Sequence, residues 1–115
     1  MRKLITLTSL LFLTGCATTE TSIAKGDMVA TWYMHGTRTA NGERFDPNGM
    51  TTAHKTLPFG TKLRLTNGDR SVIVRVNDRG PFVKGRDLDL ARGAAQALNC
   101  LGVCRLKVEE IKHEK

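Results

Sequence analysis

From Met28 onward the chain is built of short runs in which apolar and polar residues alternate, the period of a strand with one buried face. In T-K-L-R-L-T (61–66) Leu63 and Leu65 share one side. In S-V-I-V-R-V-N (71–77) Val72, Val74 and Val76 share one face and leave Arg75 and Asn77 on the other. Asn67-Gly68 lies between these runs and predicts a tight hairpin. M-V-A-T-W-Y (28–33) is rich in β-branched and aromatic residues, and D-L-D-L (87–90) and R-L-K-V-E (105–109) alternate again. Only A-R-G-A-A-Q-A-L (91–98) changes period: Ala91, Ala94, Ala95 and Leu98 fall at helical spacing and predict one short helix. Several short strands with one helix make a mainly β domain, a small barrel or sandwich. Residues 39–46 and 51–60 lack alternation and are broken by Gly42, Pro47, Gly49, Pro58 and Gly60, so they read as long connections. Connections of that length in a compact domain commonly carry function.

The N-terminus follows another pattern. Arg2 and Lys3 precede a short apolar stretch, Leu4 to Thr14, closed by Leu13-Thr14-Gly15-Cys16. This is the form of a secretory signal, too short to remain as a membrane span. Its ending resembles a bacterial lipobox, which makes Cys16 the expected lipidated N-terminus of the exported protein. Residues 17–26 are small and polar and read as a tether, so residues 16–27 are expected to link the lipid to a domain over 28–111, with a charged tail at 112–115.

The chain has 18 Lys and Arg against 11 Asp and Glu, a net charge of +7. Loss of residues 1–15 removes Arg2 and Lys3 and leaves 100 residues at net +5. A basic exported domain suits an anionic polymer or a membrane surface, while export argues against nucleic acid as a partner. With Cys16 assigned to lipid, Cys100 and Cys104 remain, and an oxidising compartment favours a disulfide between them. Two thiols without further ligands do not make a structural zinc site, so neither metal nor cofactor is expected.

The candidate chemistry is carboxylate chemistry. Glu43, Asp46 and His54 lie within one irregular stretch, and Asp78 closes an apolar strand immediately before Gly80-Pro81. No Gly-rich phosphate loop or serine-nucleophile motif is present. Taken alone, Asp78 reads equally as a turn residue or as an acid at the mouth of a barrel. Asp46 before Pro47 could cap a turn, His54 could be a hydrogen-bonded structural residue, and Arg79 reads as a rim cation. Trp32 and Tyr33 could stack on sugar rings, although one of an alternating pair normally faces the core.

Four segments in order, A-T-W-Y, T-A-N-G-E-R-F-D, T-A-H-K-T-L-P-F-G and V-N-D-R-G-P-F-V-K-G-R, closely resemble the rare lipoprotein A (RlpA) family. The resemblance covers about residues 28–111 and implies a six-stranded double-psi β-barrel with one short helix. It further implies an endolytic peptidoglycan lytic transglycosylase that needs no cofactor and prefers glycan strands lacking stem peptides. Carried over by motif, Asp78 is the catalytic acid, with Glu43 its expected partner, and Glu43, Asp46 and His54 line the same groove; Trp32, Tyr33 and Arg79 are further candidate substrate contacts from the reading of the residues themselves. A monomer is expected, held in the cell envelope by lipid on Cys16, on the periplasmic side of the outer membrane in a diderm host. The segment between Tyr33 and Thr39 is shorter than usual for the family, no glycan-binding repeat domain follows the barrel, and the Cys100/Cys104 pair stands at positions usually not cysteine. Plant expansins resemble the same fold, so a non-catalytic glycan-binding or wall-loosening module is the alternative. A lipoprotein that docks another envelope protein is a third.

Overall fold

The computed structural model describes residues 20–113, with side chains from Gly26 to Lys112. Six strands and one helix follow in the order β1 (Glu20–Tyr33), β2 (Thr51–His54), β3 (Lys62–Asn67), β4 (Arg70–Asp78), β5 (Leu88–Ala91), α1 (Arg92–Ala97) and β6 (Cys104–His113). The strands close into a barrel in the order β1-β5-β2-β4-β3-β6. Two neighbouring pairs, β1–β5 and β2–β4, run parallel, and all the others are antiparallel. A closed sheet of six strands with two parallel pairs between sequence-distant strands is a double-psi β-barrel, mainly β with one short helix, as expected.

Alternation decides what fills it. Leu63, Leu65, Val74, Val76, Leu88, Leu90 and Leu106 are all buried in the barrel interior. Burying a side chain of this size is worth about 1.5–3 kcal/mol, and these residues form one continuous cluster. Ala94 and Ala95 of α1 join it, with Leu98 at the helix C-cap, on the face the helical spacing predicts, while Ala91, expected to open the helix, is the last residue of β5. The β3–β4 turn is the predicted hairpin: Asn67 pairs with Arg70, and Gly68 takes the positive φ of 64° that a two-residue turn requires.

Three boundaries differ from the pattern reading. β2 lies inside the stretch read as irregular. Its burial is continuous over Thr51, Thr52 and Ala53, a central strand paired on both edges by β4 and β5, so no polar alternation marks it. β1 begins at Glu20, within the expected tether, because β6 pairs with it from Glu20↔His113 onward. Backbone pairing makes this strand in a sequence without apolar periodicity. β6 runs on through Lys112 to His113, past the expected start of the tail. The signal segment and Cys16 lie outside the described residues. Cys100 and Cys104 form a disulfide with a Cα–Cα distance of 6.1 Å, closing the turn between α1 and β6 at which Asn99 has φ 55°.

Candidate active site

Asp78 is the last residue of β4, and a bulge decides where it points. β2 pairs Thr52 with Val76 and then Ala53 with Asp78, so one residue of β4 is extra. Strict alternation from Val76 would turn Asp78 into the apolar interior. The bulge turns it outward, onto the face of Ala53. On the other side of β2, Ala53 pairs with Asp89, and Asp89 pairs with Thr31 of β1. Thr31, Asp89, Ala53 and Asp78 therefore form a row across four strands on the outer face, and Tyr33 lies two residues along β1 on the same face.

Three donors converge on the Asp78 carboxylate. Tyr33 Oη donates to Oδ2 at 2.8 Å, and the backbone amides of Ala40 and Arg79 donate to Oδ1 at 2.8 and 2.9 Å. The Tyr33 ring stacks on Phe45, with centroids 4.6 Å apart and planes 14° from parallel. Burial, then the hydrogen bond to Asp78, push the Tyr33 phenol well above its ordinary range, so it remains a donor. Beyond Asp78 the chain turns at once: Gly80 has φ 124° and the Gly80–Pro81 bond is cis.

Glu43 does not touch Asp78. Its carboxylate takes both Arg75 guanidinium nitrogens, Nη1 on Oε2 and Nη2 on Oε1 at 3.1 Å, with Asn77 Nδ2 at 3.1 Å and Asn41 Nδ2 at 2.8 Å. These bonds, Arg75 foremost, hold its carboxyl down to about 2. Glu43 is thus a charge-compensated anchor that fastens the 39–45 loop to the outer face of β4. That loop carries Ala40, whose amide binds Asp78. The link between the two acids is mechanical, through the loop, and the negative charge of Glu43 is already matched by Arg75.

The other expected residues divide. Trp32 packs partly buried against the core while Tyr33 faces the groove, so one of the pair is structural. Asp46 Oδ1 accepts from the Asn48 amide at 2.9 Å and caps an exposed turn. His54 Nδ1 accepts from the amides of Thr56 and Leu57, both at 3.1 Å, which sets the neutral Nε2–H tautomer. Burial lowers its pKa, keeping that form at neutral pH. Arg79 reaches away from the groove, donating to the His54 and Leu57 carbonyls at 3.1 and 2.9 Å and lying 4.0 Å over the Phe59 ring. His54 and Arg79 together staple the 54–60 connection to the end of β4. Phe82 projects at the rim, 83% exposed.

Asp89, Arg75, Asn77 and Asn41 belong to the site although pattern and motif did not single them out for it. Alternation did place Arg75 and Asn77 opposite the valines, and it put Asp89 on the face opposite Leu88 and Leu90. Which acid each would meet depends on the strand order. Among the described residues no three His, Cys, Asp or Glu side chains gather as a metal site. A basic depression of about 350 Å³ adjoins Phe45, lined also by Gly36, Thr37, Arg38 and Arg44. One of about 340 Å³ on the β1–β6–β3 wall involves none of the residues around Asp78.

Residues 25–109 match the family described as lytic transglycolase. The chain belongs to that family. The matched span contains the whole barrel end of β1, both connections and the Asp78 row. Among curated relatives, the probable endolytic peptidoglycan transglycosylase RlpA of Synechocystis is 57% identical over 75 residues, 61% of this chain and 23% of that protein. The endolytic peptidoglycan transglycosylase RlpA of Campylobacter jejuni is 47% identical over 92 residues, 74% of this chain and 34% of the relative. The protein of that name from Pseudomonas aeruginosa is 54% identical over 89 residues, 71% of this chain and 26% of the relative. The resemblance carried by the four motifs is thereby borne out, and this chain spans about a quarter to a third of these relatives' length. A solved structure, the Streptomyces papain inhibitor, superposes with a TM-score of 0.64 at 21% identity, covering 78% of this chain and 96% of the inhibitor, a likeness of fold.

Proposed function

We propose that this protein is a membrane-anchored lytic transglycosylase that cleaves the bond between N-acetylmuramic acid (MurNAc) and N-acetylglucosamine (GlcNAc) in peptidoglycan strands. The observation that carries the reading is the Asp78 carboxylate, turned out of the core by a bulge and held by donors from β1, the 39–45 loop and its own following residue. A positioned acid of this kind suits a reaction whose nucleophile comes from the substrate. Asp78 in its acid form gives its proton to the glycosidic oxygen as the MurNAc C1–O bond breaks. The same carboxylate then takes the proton of the MurNAc C6 hydroxyl as O6 bonds to C1. The products are a GlcNAc end with a restored hydroxyl and a 1,6-anhydroMurNAc end, and no water is consumed. Tyr33 can follow the exchange, since a phenol both donates and accepts. Relatives named as peptidoglycan transglycosylases support the substrate class.

Strands lacking stem peptides are the preferred substrate. Lipid on Cys16 anchors the domain, which in a diderm host faces the periplasm from the outer membrane; the barrel acts as a monomer. Metabolic labelling with a fatty acid should mark the wild type and not Cys16→Ser, and a labelled Cys16→Ser protein would refute the anchor. The activity is tested by mass spectrometry of glycan stripped of stem peptides. Wild-type digestion should release chains with anhydro ends, one water lighter than hydrolysis products. Hydrolysed ends would replace the mechanism with a two-carboxylate glycosidase, and no release with retained binding would favour the expansin-like module.

A further inference from the structure

A β-bridge outside the barrel strands sets two arginines side by side. Arg38 and Arg44 oppose each other in antiparallel register. The Thr39 amide donates to the Glu43 carbonyl at 2.8 Å, and the Phe45 amide donates to the Thr37 carbonyl at 2.9 Å. Residues enclosed by bonds in this pattern form the closer type of antiparallel pair, with Cα atoms about 4.5 Å apart and side chains on one side. Like charges placed directly opposite in this way are destabilising. Among the described residues no acid relieves the pair. Glu43 is held by Arg75, Asn77 and Asn41, and Asp46 caps its own turn through the Asn48 amide. Arg38 Nη1 donates to the Gly42 carbonyl at 3.1 Å, and the Arg44 guanidinium has no protein partner among the described residues. Both arginines are exposed and line the depression of about 350 Å³ with Gly36, Thr37 and Phe45. Phe45 joins that depression to the groove, since its ring stacks on Tyr33, whose hydroxyl binds Asp78.

We propose that Arg38 and Arg44 form an anion subsite beside the groove that takes the lactyl carboxylate of a MurNAc residue. The inference rests on the proposed glycan substrate for the identity of its anion. Each MurNAc of a stripped strand carries this carboxylate free, at the point where the stem peptide was joined, whereas GlcNAc carries no charge. A guanidinium is a planar fork of donors that matches a carboxylate edge with two parallel bonds. An anion between the two forks turns a repulsive pair into an attractive one. An attached stem peptide makes the carboxylate an amide, which removes the charge and adds bulk at the same point. The subsite thus selects stripped strands by charge, without any contact with the reacting atoms.

The probes are stripped strands and the same strands with their lactyl carboxylates amidated, which keeps every sugar and removes the charge. Binding is measured in the Asp78→Asn background, so that no strand is cut, at physiological ionic strength. That background should bind stripped strands about tenfold or more tightly than amidated ones, the effect of hydrogen bonds to a charged group. Adding Arg38→Gln/Arg44→Gln should erase the preference by weakening the stripped strands alone. Adding Arg44→Gln by itself should reduce it, at a side chain whose loss breaks no bond within the protein. Arg105→Gln/Lys107→Gln removes the same charge from exposed positions of β6 and should leave the preference intact. A preference that survives loss of both groove-side arginines, or one lost equally in the β6 variant, overturns the proposal. So does equal binding of the two probes by Asp78→Asn, or binding of neither. A wild type that prefers stripped strands without releasing anhydro ends removes the transglycosylase reading and keeps the subsite. Anhydro release from both probes at equal rates removes the subsite and keeps the transglycosylase.

Discussion

At the scale of residues, the two acids that the motifs join do different work. Asp78 faces the groove with three donors around it, whereas Glu43 is consumed by Arg75, Asn77 and Asn41. Asp78→Asn keeps the shape and most of the hydrogen bonding but cannot pass a proton. Release of anhydro products should fall by roughly 10²–10⁴, with glycan binding and thermal midpoint retained, as assayed on stripped strands beside an Asp69→Asn control on the hairpin turn. Glu43→Gln should be next in severity, acting through the loop that presents Ala40. Glu43 also makes a pH prediction. Its folded carboxyl titrates at about 2 against 4.5 for the unperturbed group, so its contribution to stability is present above 4.5 and is lost as pH falls through about 2. Carbon-detected NMR titration of the Glu43 side chain should find its midpoint near 2. A midpoint near 4.5 would mean that the Arg75 pair is not formed in solution.

Between elements, the groove depends on how closely the 46–49 turn approaches α1. The Gly93 amide donates to the Pro47 carbonyl at 2.7 Å, and a Cβ on Gly93 would lie 2.4 Å from the Asn48 carbonyl oxygen. The obstacle is backbone, so Gly93→Ala must push the turn away, at about 1–3 kcal/mol. Calorimetry should register the loss as a lowered thermal midpoint. Because Phe45 and Glu43 sit on the same connection, transglycosylase activity should drop as well, and an unchanged midpoint would show the turn to be free to move. The Cys100–Cys104 bridge spans four residues of sequence. Cross-linking so short a loop is worth about 2 kcal/mol on the chain-entropy account, so reduction should lower the midpoint without unfolding the barrel.

For the whole molecule, the charge matters as well as the groove. A chain at net +7, or +5 if residues 1–15 are removed as proposed, would be drawn to the proposed anionic wall polymer by long-range attraction. Exposed charges are screened over about 8 Å at physiological ionic strength, so co-sedimentation with sacculi should weaken steadily with added salt. Cleavage of short stripped strands, which depends on contacts inside the groove, should be far less sensitive. Equal salt dependence of both would assign the charge to the catalytic step.

Much of this protein was legible before any coordinates. Period-two alternation determined β3, β4, β5 and the body of β6, because each packs one face on the core, and the alanine spacing determined α1. The four motifs determined the family, and with it the barrel. Three things were decided only by tertiary structure. β2 has no alternation because it is a short central strand buried at three successive residues, and the first eight residues of β1 are a strand because β6 lies beside them. Asp78 faces the groove because a bulge against β2 reverses its side, a shift that no periodicity records. The pairing of Glu43 with Arg75, and of Asp89 with the Asp78 row, likewise joins residues 32 positions apart or strands out of sequence order. Alternation fixes which face a side chain occupies. Which neighbours meet it there is set by the order in which the strands close, and that order is a property of the folded barrel.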